Sequence, residues 1–213
     1  MKYRQNEVVT DEKQKMQSVV GQLNWLSTQT RPDISFDICD MSSKLSCATV
    51  DDLLYLNKVI KKVKNQEVTL KFSKLIDLST LAVECYSDAS FGNLMNGGSQ
   101  GGYVIFITDQ YSKRNVVSWQ SKTIRRVVKS TLAAETMPLL DAAEAGIYIA
   151  TLIAQALNMS APLVKCYVDN KSLVDAVLSS TNVEDKIIII ISVPCQRRGL
   201  SSASTFVCLL PFE

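Results

Sequence analysis

The sequence predicts an α/β protein in which a small helical unit precedes a mixed β-sheet, and two observations support this. Apolar residues recur every three or four positions in the first third of the chain, which is typical of amphipathic helices. From residue 81 onward, three short strand-like runs alternate with polar turns, and a long helical run, a short strand and another helix follow. This order predicts a three-strand antiparallel meander followed by helix, strand and helix, with mixed strand directions.

Composition is that of a folded protein and excludes some classes of function. Of the 213 residues, 46% are hydrophobic and 21% are charged, which is ordinary for a globular chain. The net charge of +2 gives no nucleic-acid signal for the chain as a whole, so any basic surface must be local. A zinc site is disfavoured, because the chain has no histidine and its six cysteines form no C-x-x-C pair.

The cysteines are better explained as buried free thiols in a reducing compartment. No signal peptide is recognisable at the N-terminus, and no uninterrupted apolar run approaches the ~20 residues that a membrane span needs. We therefore expect an intracellular protein, cytoplasmic or nuclear, that has no membrane partner.

The range 14–80 is predicted to be the helical unit, after a polar lead-in over residues 1–13. It contains three helical patterns. The second begins after Pro32, because proline suits a first helical turn and biases the residue before it away from helix. The third opens at Thr49, with acids at its start and lysines toward its end, as the helix dipole favours. A strand over Val68–Phe72 is expected next.

The range 81–186 is predicted to be the α/β domain. Its first strand is Leu81–Tyr86. A turn rich in glycine and asparagine, over residues 96–102, leads to a second strand, Tyr103–Thr108, and a further polar turn leads to the third, Val116–Trp119. Short turns between consecutive strands indicate antiparallel neighbours.

A long helical pattern follows over Leu132–Leu157, then an apolar strand and a shorter helix. Proline in a helix interior costs ~3 kcal/mol or more, so we expect the long helix to begin late enough to leave Pro138 in its first turn. The remaining range, 187–213, is a divergent apolar tail that opens with five consecutive isoleucines. This run either completes the sheet as one more strand or, if exposed, forms an aggregation-prone edge.

Three acidic residues occupy comparable places in this pattern: Asp88 follows the first strand, Glu135 lies in the first turn of the long helix, and Asp169 follows the fourth strand. Each alone is readily explained as a turn former, a cap or a favourable charge at a helix start. Ligands bind at strand ends of open α/β sheets, however, and converging carboxylates repel one another unless a cation lies between them. Mg²⁺ prefers such oxygen ligands, and two such ions can assist phosphodiester cleavage.

One concentrated basic run, SKTIRRVVK, contains Lys122, Arg125 and Arg126. Lysine and arginine side chains are the usual partners of nucleic-acid phosphates. A solvated loop explains the run equally well, and both interpretations stay open.

Six motifs follow one another in the second part of the chain: CYSDASFGN, NGGSQGGYVIF, VVSWQSKT, STLAAET, AAEA and VKCYVDNKSLVDAV. An earlier stretch is SVVGQLNWLSTQTRPDISFDICDMSSKLSCAT. Taken in order, the six motifs resemble the ribonuclease H domain of copia-type retrotransposon Pol polyproteins. The earlier stretch resembles the connection region between polymerase and ribonuclease H. The resemblance covers roughly residues 14–186, and its specificity comes from the whole series.

The resemblance implies a ribonuclease H-like mixed sheet and an enzyme that cuts the RNA strand of RNA–DNA hybrids with two Mg²⁺ or Mn²⁺ ions. By position, Asp88, Glu135 and Asp169 match the first three metal-binding carboxylates. It further implies that small polar and basic residues approach the nucleic acid: Asn96, Ser99, Gln100, Ser118, Lys122, Arg125 and Arg126. The polymerase portion of the polyprotein is a second expected partner.

The chain departs from this family pattern after Asp169, where an acidic helix would supply a fourth carboxylate. Asp175, Asp185 and Glu213 are candidates, but none matches the family motif. Two interpretations stay open: a fully or weakly active ribonuclease H, and a catalytically incomplete remnant that at most binds nucleic acid or protein. We expect the tail to place no carboxylate beside Asp88, and the isolated chain to cleave hybrids little or not at all.

Overall fold

The computed structural model describes residues 10–94, 97–179, 188–192 and 205–209, the last two ranges through their backbone. The chain forms two compact units. One consists of residues up to Leu70 with Gln120–Thr123, and the other of Lys71–Trp119 with the residues from Ile124 onward. Each unit has its own hydrophobic core.

The first unit contains the three predicted helices: α1 (Thr10–Gln29), α2 (Ser35–Lys44) and α3 (Val50–Asn65). Helix α1 begins within the predicted lead-in, whose first nine residues lie outside the described part of the chain. Thr49 caps α3 as expected. Its side chain accepts from the Asp52 N–H at 3.3 Å, and the Asp52 carboxylate accepts from the Thr49 N–H at 2.9 Å, which satisfies two donors at the helix start.

The core of this unit forms where the apolar faces of the three helices meet. Ile34 and Ile38 are fully buried, and Leu23 and Leu56 are nearly so. Leu26 and Leu53 pack against the same cluster while remaining partly exposed. At ~25 cal/mol per Å², the burial of this apolar surface stabilises the unit by several kcal/mol.

Arg31, which precedes α2, forms an ion pair with Asp33 and a hydrogen bond to the end of α3. Two guanidinium nitrogens of Arg31 donate to the two carboxylate oxygens of Asp33 at 2.7 and 2.9 Å. Another donates to the carbonyl of Val63 at 3.1 Å. The hydrogen bond from Arg31 holds the pKa of the Asp33 carboxyl below its usual value, although partial burial opposes this. The pair therefore combines two charge-assisted hydrogen bonds with a link between helices.

The predicted strand over Val68–Phe72 is wrong, because these residues form no strand in the structure. Val68 and Phe72 are 37% and 66% exposed. The backbone of the next residue, Ser73, bonds to a side chain: its N–H donates to Asn115 Oδ1 at 2.7 Å, and its carbonyl accepts from Asn115 Nδ2 at 2.8 Å. Strand propensity does not suffice where the backbone finds no neighbouring strand.

The second unit is built on a mixed six-stranded sheet with the order β3-β2-β1-β4-β5-β6. The strands are β1 (Ala82–Ser90), β2 (Ser99–Thr108), β3 (Arg114–Ile124), β4 (Leu163–Tyr167), β5 (Ile188–Ser192) and β6 (Thr205–Leu209). β1 pairs antiparallel with β2 and parallel with β4. The predicted α/β class with mixed strand directions is confirmed.

The isoleucine run completes the sheet, which is the first of the two outcomes weighed for it. β5 pairs parallel with β4 on one side and antiparallel with β6 on the other. The run is therefore an interior strand, and β6 takes the edge position. Residues 193–204 and 210–213 of the tail lie outside the described part.

Helix α4 (Thr131–Leu157) crosses one face of this sheet, and the shorter α5 (Lys171–Ser179) follows β4. Small residues let α4 lie close to the strands. A Cβ atom built on Gly146 would come within 2.5 Å of Cys85 Sγ. The core beneath the helix is apolar and includes Val83, Cys85, Ile105, Val164 and Cys166.

The start of α4 differs from the prediction. The helix begins at Thr131, where the Ser130 side chain accepts from the Ala133 N–H at 3.2 Å. Pro138 is therefore well inside the helix, and its placement in the first turn is wrong. The missing N–H leaves the carbonyl of Ala134 without its usual helical donor. Pro138 is buried against Gly101 of β2, and this packing offsets part of the cost.

Helix α4 is also long and apolar enough, by length and composition alone, to cross a membrane. The sequence shows no uninterrupted apolar run here, because Glu135, Asp141 and Glu144 lie within the helix. Core helices meet the same criterion. In the structure, α4 contributes Ala142, Ala143 and Ala150 to the core on the sheet.

Candidate metal centre and nucleic-acid site

Three acidic side chains converge near the end of β1. Asp88 lies within β1, where it pairs with Gly102 of β2. Glu135 projects from the N-terminal part of α4, and Asp169 lies two residues beyond the end of β4. One carboxylate oxygen from each residue lies within 4.8 Å of the others. The convergence predicted from strand ends and a helix start is present.

Two of the three placements differ in detail from the prediction. β1 continues to Ser90, so Asp88 lies inside the strand rather than after it. α4 begins at Thr131, so Glu135 falls just beyond the first turn. In both cases the strand or helix is longer than predicted and includes additional polar residues. Hydrogen bonding to β2 and capping by Ser130 decide these boundaries, and local hydrophobicity does not reveal either.

Glu135 is the buried member of this acidic cluster, with 6% of its surface exposed, whereas Asp88 and Asp169 are exposed. Burial, together with the charges of Asp169 and Asp88, raises the pKa of the Glu135 carboxyl to about 7, while a hydrogen bond from the Ala89 N–H opposes this rise. Its Oε2 atom is buried without a hydrogen-bond partner among the described residues. A buried carboxylate oxygen with no donor is costly unless a cation or a proton is supplied.

The donor set fits a divalent cation that prefers oxygen ligands, such as Mg²⁺ or Mn²⁺. Two oxygens on opposite sides of one Mg²⁺ are ~4.2 Å apart, since each bond is ~2.1 Å long. The 4.8 Å spread is only slightly wider, so small side-chain shifts or a bridging water would close it. The unpartnered Glu135 oxygen and the mutual repulsion of three carboxylates both favour a cation between them.

A fourth carboxylate does not join this cluster in the described part of the chain. Asp175 is exposed on α5 and is not one of the converging residues. Asp185 and Glu213, the other candidates, lie outside the described residues. The expectation that the tail places no carboxylate beside Asp88 stays a prediction.

Two of the three polar residues expected in the turn before β2 lie in β2 itself. Ser99 and Gln100 belong to β2 and are 3% and 6% exposed. Ser99 Oγ accepts from the Gly92 N–H at 3.0 Å, so this hydroxyl holds the turn between the two strands. Asn96 lies outside the described residues. The glycine-rich composition suggested a longer turn, whereas pairing with β1 already includes Gln100, opposite Ser90.

The other candidates for nucleic-acid contact follow the third strand. Ser118 and Lys122 are half-buried in β3, whereas Arg125 and Arg126 are exposed in the segment before α4. The basic run is thus part strand and part loop. Of these residues, the two arginines are the ones whose side chains are openly accessible to a phosphate backbone.

Two features of the cluster have no clear sequence signal. The Ala89 N–H that bonds Glu135 is a backbone donor, and any residue except proline would supply it. The contact of Gly101 with Pro138 joins residues far apart in sequence. A glycine pair before a strand and a proline inside a helical pattern were the only hints.

The chain is similar in sequence to two curated proteins of Arabidopsis thaliana. It is 27% identical over 157 residues to the retrovirus-related Pol polyprotein from transposon RE1, and 28% identical over 154 residues to that from transposon RE2. The predicted resemblance to a retrotransposon Pol polyprotein is confirmed. Each match covers 71% of this chain but 10% of the relative, so the chain spans a small part of these polyproteins.

Two solved structures resemble part of the chain. Ribonuclease H1 LC11 in complex with an RNA/DNA hybrid is 20% identical, with a TM-score of 0.32 over 49% of this chain and 66% of that chain. The prototype foamy virus protease–reverse transcriptase is 15% identical, with a TM-score of 0.27 over 51% and 13%. No protein-family model matches the sequence. The strand order and directions described above confirm the predicted ribonuclease H-like fold class.

Proposed function

We propose that this ribonuclease H-like domain of a retrotransposon Pol polyprotein hydrolyses the RNA strand of RNA–DNA hybrids with the help of divalent metal ions. The convergence of Asp88, Glu135 and Asp169 within 4.8 Å carries this proposal. Sequence similarity to the Pol polyproteins from RE1 and RE2 supports the same function.

In this proposal the three carboxylates hold Mg²⁺ or Mn²⁺. Such a cation, when bound, supplies a nucleophilic water at neutral pH and neutralises charge that develops on the phosphate. The chain's own residues position the cluster. The Ala89 N–H orients the Glu135 carboxylate, burial keeps Glu135 away from solvent, and the exposed Asp88 and Asp169 face an approaching phosphodiester.

The proposed partner is an RNA–DNA hybrid, gripped through its phosphates by Arg125 and Arg126 and by Lys122. Small polar groups such as Ser118 are suited to sensing 2′-hydroxyls of the RNA strand. Because the chain spans a tenth of its relatives, we also propose that it works beside the polymerase portion of the polyprotein.

We further propose an intracellular setting. In the described part of the chain, Cys39, Cys47, Cys85 and Cys166 form no disulfide, and Cys85 and Cys166 are fully buried. Cysteines that stay reduced are typical of a reducing compartment.

A second candidate function is a remnant that binds hybrids without cutting them. The observation that favours it is the number of acids: three converge in the described part of the chain, and Asp175 stays outside the cluster. Fewer negative charges weaken the hold on a second cation. We therefore expect the isolated chain to bind hybrids and to cleave them slowly or not at all.

A labelled RNA–DNA hybrid, incubated with the chain and Mg²⁺ or Mn²⁺, separates these functions. Cleavage of the RNA strand that disappears with EDTA and in Asp88→Asn supports the nuclease. The matched control is Asp175→Asn, which removes an exposed carboxylate outside the cluster and should leave cleavage unchanged. Salt-sensitive binding without cleavage supports the remnant. Absence of both binding and cleavage contradicts the proposal.

A further inference from the structure

Pro138 and Gly101 make an unusually close contact between α4 and β2. A Cβ atom built on Gly101 would lie 3.2 Å from both Cβ and Cγ of Pro138, and 3.4 Å from Cδ. The glycines with positive φ in the described part are Gly92 and Gly97, not Gly101. Gly101 is therefore needed for space rather than for backbone conformation. The ring of Pro138 fills the place that a side chain would take.

This contact lies next to the acidic cluster. Gly101 pairs with Ala89, whose N–H bonds Glu135, and the neighbouring Gly102 pairs with Asp88. On the helix side, Pro138 comes three residues after Glu135, so both side chains share one face of α4. Helix α4, which carries Glu135, thus contacts β2 next to the residue that pairs with Asp88 of β1.

We propose that Pro138 and Gly101 are positioning residues that set the distance between Glu135 and the end of β1. A proline ring cannot move aside by changing rotamer, and a glycine lets the two backbones approach, so the contact fixes the spacing. Proline weakens a helix interior, so the helix itself gains nothing from it. The inference rests on the proposed function in that the cluster is taken as the metal site.

Hydrogen exchange of the Ala89 amide reports this spacing without any metal. In ¹⁵N-labelled Gly101→Ala protein, the new methyl group pushes α4 away, and we expect the Ala89 amide to exchange about tenfold faster or more. Adding Pro138→Ala removes the Cγ and Cδ contacts but keeps the Cβ contact, so the double variant should return part of the way to the wild-type rate. Unchanged exchange in Gly101→Ala overturns the inference.

Mn²⁺ titration of the same proteins, with thermal unfolding, provides the second test. Pro138→Ala should raise the midpoint of unfolding, because alanine favours helix, yet lower Mn²⁺ affinity by about tenfold. A merely structural role would move both in one direction. Leu140→Ala, an exposed position on the same helix, is the matched control and should leave the affinity unchanged.

The two tests separate failure of the inference from failure of the proposed function. If the wild-type chain binds no Mn²⁺, the proposed metal site is wrong, and Ala89 exchange alone decides the positioning role. If it binds Mn²⁺ and Pro138→Ala binds equally well, the metal site stands and the positioning role is overturned. Because Pro138→Ala is expected to be more stable than wild type, its result does not depend on whether Gly101→Ala folds.

Discussion

Two groups of acidic residues in this protein handle burial in opposite ways. In the helical unit, Asp33 accepts two hydrogen bonds from Arg31, and its pKa is held below the usual value. At the end of β1, Glu135 is buried beside Asp88 and Asp169, whose charges help to raise its pKa to about 7. The carboxylate of Asp33 is satisfied within the fold. The proposed function assigns the acidic cluster to a cation, and a strongly perturbed pKa of this kind is typical of functional acids.

The largest expected effect comes from breaking the satisfied pair. Asp33→Asn leaves the Arg31 guanidinium, 8% exposed, without its carboxylate. We expect the free energy of unfolding to fall by about 3 kcal/mol, measured by urea denaturation, while Mn²⁺ affinity is unchanged. The control is Asp11→Asn, because the Lys15–Asp11 pair is 73% and 72% exposed and its loss should barely be measurable. Equal losses in the two variants would contradict this assignment.

In the acidic cluster, by contrast, a substitution is expected to raise the free energy of unfolding. Glu135→Gln removes a buried charge that two other acids repel, so in EDTA at pH 8 the variant should be more stable by about 2 kcal/mol. The pKa of this group is raised on folding, so the wild-type protein loses stability as pH rises through about 7. The variant should lack that dependence. Added Mg²⁺ should stabilise the wild-type protein alone. A variant less stable than wild type in EDTA would show that the charge is already compensated.

The smallest expected effect is on the stability of the protein at acidic pH. The pKa of Asp33 is lowered on folding, so its contribution is present above the unfolded value of about 3.9 and is lost as pH falls below it. Between pH 5 and pH 3 the wild-type protein should lose more stability than Asp33→Asn does. Parallel acid titrations of the two proteins would contradict the lowered pKa.

The sequence predicted the parts of the fold that depend on local patterns. The cap at Thr49, the three helices and the alternation of strands and helix all arise from residues close together in the chain. The convergence of Asp88, Glu135 and Asp169 was predictable for a related reason: strand ends and helix starts meet at the edges of α/β sheets.

The features that the sequence did not predict depend on distant partners. Val68–Phe72 has strand propensity but finds no neighbouring strand. Gln100 belongs to β2 because β1 extends far enough for Ser90 to pair with it. Pro138 lies inside α4 because Gly101, more than thirty residues earlier, leaves room for its ring. In each case the nearby residues in the sequence favoured a different local structure, and contacts with distant residues determined the one observed.

The parallel pairing of β1 with β4 has a consequence for how the protein folds. Ala82 lies opposite Leu163, about eighty residues later, so this pairing closes a far longer loop than the β1–β2 hairpin does. The hairpin and α4 can form from nearby contacts, whereas β4 has to arrive after them. Until then β1 has one open edge, which makes this an aggregation-prone stage of folding. Asp169 arrives with β4, so mutual repulsion of the three carboxylates develops only when β4 pairs with β1.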